Sequence, residues 1–218
     1  MALTRELLLA RHGEAHCNRA GLVGGPMTCT GLTPRGHNEV TCLAVRLRAE
    51  HQAGAAITAL YAAPRRRVRQ TGELLAQTLE LPLQVEAGLD GPGHGAADGQ
   101  PWAAVKAAFG GPPAAHPDRP YAPGAETWND YLDRATAFLA ALLDRHAGQR
   151  ILIAAHGETI QAAHILLLGL PRAARTQVEF RTDHTGLARW QLPRNRFGRM
   201  VWTLAAHNDT AHLANLQP

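Results

Sequence analysis

The sequence predicts an α/β fold in three layers, with helices on both faces of a mostly parallel central sheet. Short aliphatic runs alternate along the chain with longer stretches of helical spacing. Two of the runs also end alike, in Leu7-Leu8-Leu9-Ala10-Arg11-His12-Gly13-Glu14 and in Ile151-Leu152-Ile153-Ala154-Ala155-His156-Gly157-Glu158. A continuous apolar run is what a strand buried on both faces requires, and the glycine beyond it marks a tight turn. In an open parallel sheet the turns at strand C-termini collect the ligand site. The echoed His-Gly-Glu therefore points to two imidazoles delivered from distant parts of the chain to one end of the sheet.

The first strand is expected at about Glu6 to Ala10, with no helix directly after it. Beyond a Gly-rich loop, Thr33 is an N-cap with Pro34 at the first helical position, and Val40, Leu43, Ala44 and Leu47 keep helical spacing towards His51. Ile57 to Tyr61 reads as a second strand, and Pro64 opens a helix marked by Val68, Leu74, Leu75 and Leu79. Residues 86–125 change character, with Gly91-Pro92-Gly93, Gly110-Gly111-Pro112-Pro113 and one short helix near Trp102 to Phe109. Such a stretch reads as a lid or substrate loop inside a single domain spanning 1–218. From Thr127 a helix runs through Trp128, Tyr131, Leu132, Ala135, Leu139, Leu142 and Leu143, with Gly148 as its C-cap. Strand Arg150 to Ala155 and helix Thr159 to Leu168 follow, then edge strands around Leu187 to Leu192 and Met200 to Leu204.

At 45% hydrophobic and 18% charged residues, the composition is that of an ordinary soluble domain. A net charge of +4 suits an acidic small substrate without demanding nucleic acid, and 5% aromatics leaves little for base stacking. Cys17, Cys29 and Cys42 share no C-x-x-C spacing, which argues against both a disulfide framework and a cysteine zinc site. The first aliphatic run breaks at once on Arg11-His12, and no apolar stretch reaches the length of a membrane span. A cytoplasmic protein is expected, without membrane or nucleic-acid partners; a homodimer is the one assembly considered.

A neutral imidazole can attack phosphorus, and the transfer then needs fixed donors around the phosphoryl oxygens. Arginine supplies such donors as a planar fork. Arg11 adjoins His12, a second arginine from Arg65-Arg66-Arg67 would follow the second strand, and His156 would close the pocket; glycines 13 and 157 allow close backbone approach.

These residues resemble the signature of the histidine phosphatase superfamily, the phosphoglycerate mutase-like proteins of branch 1. Leu8-Leu9-Ala10-Arg11-His12-Gly13-Glu14 with Asn18, and Thr30-Gly31-Leu32-Thr33-Pro34-Arg35-Gly36, are similar to its first two motifs. Tyr61 to Thr71, Pro123-Gly124-Ala125-Glu126-Thr127 and Ala155-His156-Gly157 resemble three more, in the right order over about residues 6–170. The resemblance implies a phosphoglycerate mutase-like fold and a metal-independent phosphomonoesterase without a cofactor, acting on a small-molecule phosphate ester. His12 would be phosphorylated, while Arg11, Asn18, Arg67 and His156 hold the phosphoryl oxygens. A mutase or sugar bisphosphatase, and a non-catalytic phosphate-binding module, are the alternatives.

One departure concerns the acid. The family's glutamate, which protonates the leaving oxygen, falls at Gly91. Asp90 is the expected substitute, with His94, Glu86, Asp98 or no acid as the other choices. Arg65 occupies a slot that is usually apolar, either surface-exposed or reaching the substrate. Trp102, Glu126 and His184 are expected to touch the substrate, with Lys106, Trp128 and Arg189 as further guesses. Glu14 and Glu158 read as charges favoured by helix N-termini; His12 and His16, four apart, are not expected on one helix, which disfavours a zinc pair.

Overall fold

The computed structural model describes residues 3–216. Its centre is a six-stranded sheet in the order β3-β2-β4-β1-β5-β6. The strands are β1 (Leu3–Arg11), β2 (Ala59–Ala62), β3 (Leu83–Val85), β4 (Arg150–Ala155), β5 (Leu187–Pro193) and β6 (Thr203–Asp209). The helices are α1 (His16–Arg19), α2 (Pro34–Gln52), α3 (Arg66–Leu79), α4 (Trp102–Phe109), α5 (Trp128–Arg145) and α6 (Gly157–Leu168). Strands β3, β2, β4 and β1 run parallel, and β5 and β6 extend the sheet by antiparallel pairing. The mostly parallel three-layer arrangement is therefore the one expected.

Connectivity decides which helices share a face. From β1 the chain moves through α2 to β2 and through α3 to β3, in one direction across the sheet; it then returns through α5 to β4 and leaves through α6 the other way. Right-handed crossovers put the two directions on opposite faces. Accordingly α2 packs on α3 and α5 on α6. β1 and β4 are thus neighbours whose onward connections diverge, the switch point where an open α/β sheet forms its crevice. Leu7, Leu8, Leu9, Ile151, Leu152 and Ile153 are all buried, as strands covered on both sides require.

Local signals explain most boundaries. The Thr33 and Thr127 hydroxyls accept from the Gly36 and Asp130 amides and open α2 and α5. Gly169, in the left-handed region, closes α6. Four expectations need correction, the first being the last edge strand, expected around Met200 to Leu204 and found at Thr203–Asp209. The four-residue α1 does follow β1, although His12 lies outside it and His16 is exposed, so the two share no helical face. β3 lacks a counterpart in the sequence reading. Helix α5 ends on His146 rather than at Gly148.

Segment 86–125 is anchored. Val23, Ala97 and Val105 form a small separate core, against which Trp102, Tyr121 and Ala122 pack. At the opposite end of the sheet from His12 lies a buried ion cluster. Glu6 and Arg150 pair there; Arg150 also reaches Glu50 at 2.7 Å, and Arg189 bridges Glu6 at 3.1 Å and Glu50 at 2.8 Å. Among the described residues, no helix is long and apolar enough to cross a membrane.

Candidate active site

Parallel pairing in register sets Arg11 beside Ala155, so the next residues, His12 and His156, leave adjacent strand ends together. The His12 amide donates to the Ala155 carbonyl at 2.9 Å, and the two imidazole centroids lie 5.7 Å apart. Arg67 arrives from the other side, in the first turn of the helix that follows β2, which is itself hydrogen-bonded to β4. Three strand ends thus meet at one point.

The hydrogen bonds fix the tautomers. His12 Nδ1 faces the Gly13 carbonyl at 2.8 Å, and a carbonyl only accepts, so Nδ1 carries the proton. His12 Nε2 is the unprotonated nitrogen of the ring, and its lone pair accepts from Arg67 Nε at 2.9 Å. Arg67 also donates from Nη2 to His156 Nδ1 at 3.3 Å and from Nη1 to the Gly24 carbonyl at 2.7 Å. With Nδ1 accepting, His156 donates from Nε2 to Asp90 Oδ1 at 3.3 Å. Burial, then the Arg67 charge, then other neighbouring cations hold both imidazoles well below the ordinary histidine pKa. Both rings are therefore neutral, and His12 presents a nucleophilic nitrogen. Arg11 completes the cluster. One of its terminal nitrogens donates to the Thr182 carbonyl, while its buried Nε has no partner.

A cleft of about 860 Å³ opens over this cluster. Arg11, His12, Asn18, Arg67, His94, Trp102 and Tyr121 line one part, and Gly157, Glu158, Gln161 and residues 175–183 face them. Lys106 and Trp128 also reach the wall. His184 lies beside His12, 5.8 Å between ring centroids; its Nε2 is buried without a partner, and burial pushes its pKa down to about 4. Asn18 lines the cleft while its Oδ1 accepts from the Ala15 amide at 3.2 Å.

Several expected residues stand elsewhere. Glu126 is occupied by Arg134 at 2.9 Å and by the Gly93 amide at 3.2 Å, so it braces the loop rather than lining the cleft. Arg189 belongs to the ion cluster at the far end. Asp98 binds the Gly25 and Met27 amides and ties down the loop after β1. Glu86 faces Arg145 at 3.8 Å. Asp90 does reach the site, but its oxygens face Arg65 at 3.2 Å, the Gly91 amide at 3.0 Å and His156, and it is absent from the cleft wall.

Arg65 is the residue that sequence reasoning left undecided. It is buried, with its guanidinium on Asp90, on His94 Nε2 at 3.1 Å and on the Gly24 and Pro92 carbonyls. A Cβ placed on Gly91 would lie 3.1 Å from His156 Cδ2 and 3.2 Å from Arg65 Nη1. Arg65 therefore fills the room that a side chain at position 91 would enter. The signal was present as two departures from one pattern, which only the fold shows to be neighbours. Among the described residues, no group of three or more His, Cys, Asp or Glu could hold a metal ion.

Strand-end imidazoles, a bridging arginine and a cleft above them meet at one end of the sheet, and the chain belongs to the histidine phosphatase superfamily, branch 1, whose family model matches residues 7–209. It is 26% identical over 169 residues to a metal-independent phosphoserine phosphatase of Arabidopsis thaliana, covering 73% of this chain and 67% of that protein. It is 28% identical over 188 residues to a 2,3-bisphosphoglycerate-dependent phosphoglycerate mutase of Methylobacterium radiotolerans, covering 83% and 87%. Its fold matches that of a mycobacterial glucosyl-3-phosphoglycerate phosphatase with a TM-score of 0.77, at 20% identity over 94% of this chain and 99% of the other. The protein is a histidine phosphatase, and its reaction class is the hydrolysis of phosphate monoesters.

Proposed function

We propose that the chain hydrolyses a small phosphate ester through a phosphohistidine formed at Nε2 of His12. The observation that carries this reading is the Arg67 fork, which touches His12 Nε2 and His156 Nδ1 at once and so marks where a phosphoryl group would sit between the two imidazoles. Arg11, Arg67 and Asn18 hold its oxygens, His156 Nδ1 anchors the Arg67 fork, and the unpartnered Nε of Arg11 gains an acceptor when the ester binds. Asp90 orients His156: by accepting from Nε2 it keeps Nδ1 turned towards Arg67.

The cleft carries both signs of charge, Lys106 and Arg181 with Glu158, Glu179 and Asp183, beside Trp102 and Tyr121. Such a wall suits a small alcohol that is itself charged, such as a phosphorylated amino acid or hydroxy acid. The names of the phosphoserine phosphatase relatives support the same choice. Segment 86–125 supplies the substrate-side wall of one domain. Three free cysteines support a cytosolic setting.

The test is a panel of phosphoserine, 3-phosphoglycerate and p-nitrophenyl phosphate, scored for free phosphate and for isomerised product, with wild-type protein and His12→Ala. Free phosphate from the wild type and background rates from the variant are expected. Isomer without phosphate would make the protein a mutase, and near-wild-type rates in His12→Ala would overturn the nucleophile.

A further inference from the structure

The phosphoryl cage is complete, yet an alkoxide leaving group still requires a proton. Position 91 cannot give one, because Arg65 fills the space in front of that glycine. A cation stands where the family pattern has an acid. Asp90 is turned onto Arg65, its own following amide and His156. His94 accepts from Arg65 at Nε2 and donates from Nδ1 to the Tyr121 hydroxyl; burial and the Arg65 charge push its pKa down to about 4. It is neutral, and its one ring proton is committed.

Three carboxylates line the cleft: Glu158, Glu179 and Asp183. Asp183 is held by Asn208 Nδ2 at 2.9 Å and faces Arg181, and Glu179 is exposed. Glu158 differs from both. It is half-buried in the first turn of α6, next to the Gly157 that follows His156, and no hydrogen bond or ion pair engages it among the described residues. Its charge acts on Arg11 at the strand ends and on His94 and Tyr121 across the cleft. It lines the same cleft as Arg11, His94 and Tyr121, and a Cβ on the preceding Gly157 would lie 3.7 Å from Arg11 Nε.

We propose that Glu158 is the proton donor of this phosphatase, a role resting on His12 as the nucleophile. As the bond from His12 Nε2 to phosphorus forms and the ester P–O bond breaks, the Glu158 carboxyl gives its proton to the departing oxygen. The carboxylate left behind takes a proton from the water that attacks the phosphohistidine. The N–P bond then breaks, phosphate leaves, His12 regains its lone pair and Glu158 is protonated again.

The experiment compares Glu158→Gln with wild type on two esters that differ in leaving group. Phosphoserine releases an alkoxide that needs a proton, whereas 2,4-dinitrophenyl phosphate releases a stable phenolate that does not. For Glu158→Gln, kcat/KM on phosphoserine is expected to fall about 10²–10⁴-fold, while kcat/KM on the dinitrophenyl ester stays within a few-fold of wild type. Slower water attack should also give a burst of dinitrophenolate. An equal loss on both esters, or no loss on phosphoserine, would overturn the assignment. A selective phosphoserine defect in Asp90→Asn with none in Glu158→Gln would transfer the role to Asp90. His12→Ala must lose both esters; retention of both would instead remove the nucleophile on which the proposal rests.

Discussion

Arg67 and His12 work as one unit, and their bond has two consequences. Because burial and then the Arg67 charge keep His12 neutral, the acid limb of kcat/KM should lie below the ordinary histidine value of 6.5. Lowering the pH protonates the nucleophile, and a depressed pKa postpones that loss. Arg67→Gln removes the charge, so the limb should move up in pH while kcat falls about 10²–10³-fold, as for the loss of a transition-state donor. A pH profile of both proteins checks this, and a limb that does not move would contradict the electrostatic role. His12, Arg11, Arg67 and His156 were legible as residues because strand-end spacing and motif order name them. Arg65 and Glu158 were not. Burial of an arginine depends on what a distant glycine leaves open, and a glutamate in a first helical turn looks the same whether it faces solvent or a cleft.

Glycines at the element scale hold the site in place. A Cβ on Gly36, in the first turn of α2, would lie 2.0 Å from the Glu14 carbonyl oxygen, and one on Gly13 would lie 2.4 Å from the Gly36 carbonyl oxygen. The loop after β1 and the start of α2 are thus in backbone contact. Gly36→Ala is expected to destabilise by at least the roughly 1–3 kcal/mol of an overpacked core and to lower turnover, because the strain falls beside His12. A urea midpoint shifted at constant slope checks it; an unchanged midpoint would deny the contact. Most elements were readable because their signals are local, such as Thr-Pro at the start of α2 or the aliphatic run of β4. β3 was not: Leu83-Gln84-Val85 is too short to show alternation and becomes a strand by pairing with β2.

Over the whole molecule, stability and chemistry occupy opposite ends of the sheet. Arg150→Ala would leave Glu6 buried with one partner fewer, costing about 3–5 kcal/mol, with kcat unchanged for protein that remains folded. Thermal denaturation beside turnover at low temperature separates the two effects. Acid should act on the fold as well. His94, His164, His184 and His212 have folded pKa values near 4, with burial as the main cause, against 6.5 unfolded. Between those values the unfolded chain binds more protons, so stability falls as pH drops from about 6.5 towards about 4. A thermal midpoint flat across that window would contradict it. The account as a whole rests on a covalent bond that one measurement can see. Rapid alkaline quench during turnover, followed by peptide mass spectrometry and phosphorus NMR, should find phosphate on His12 at Nε2, since Nδ1 is committed to the Gly13 carbonyl. Steady phosphate release with no phosphate on His12, or with phosphate on Nδ1, would contradict it.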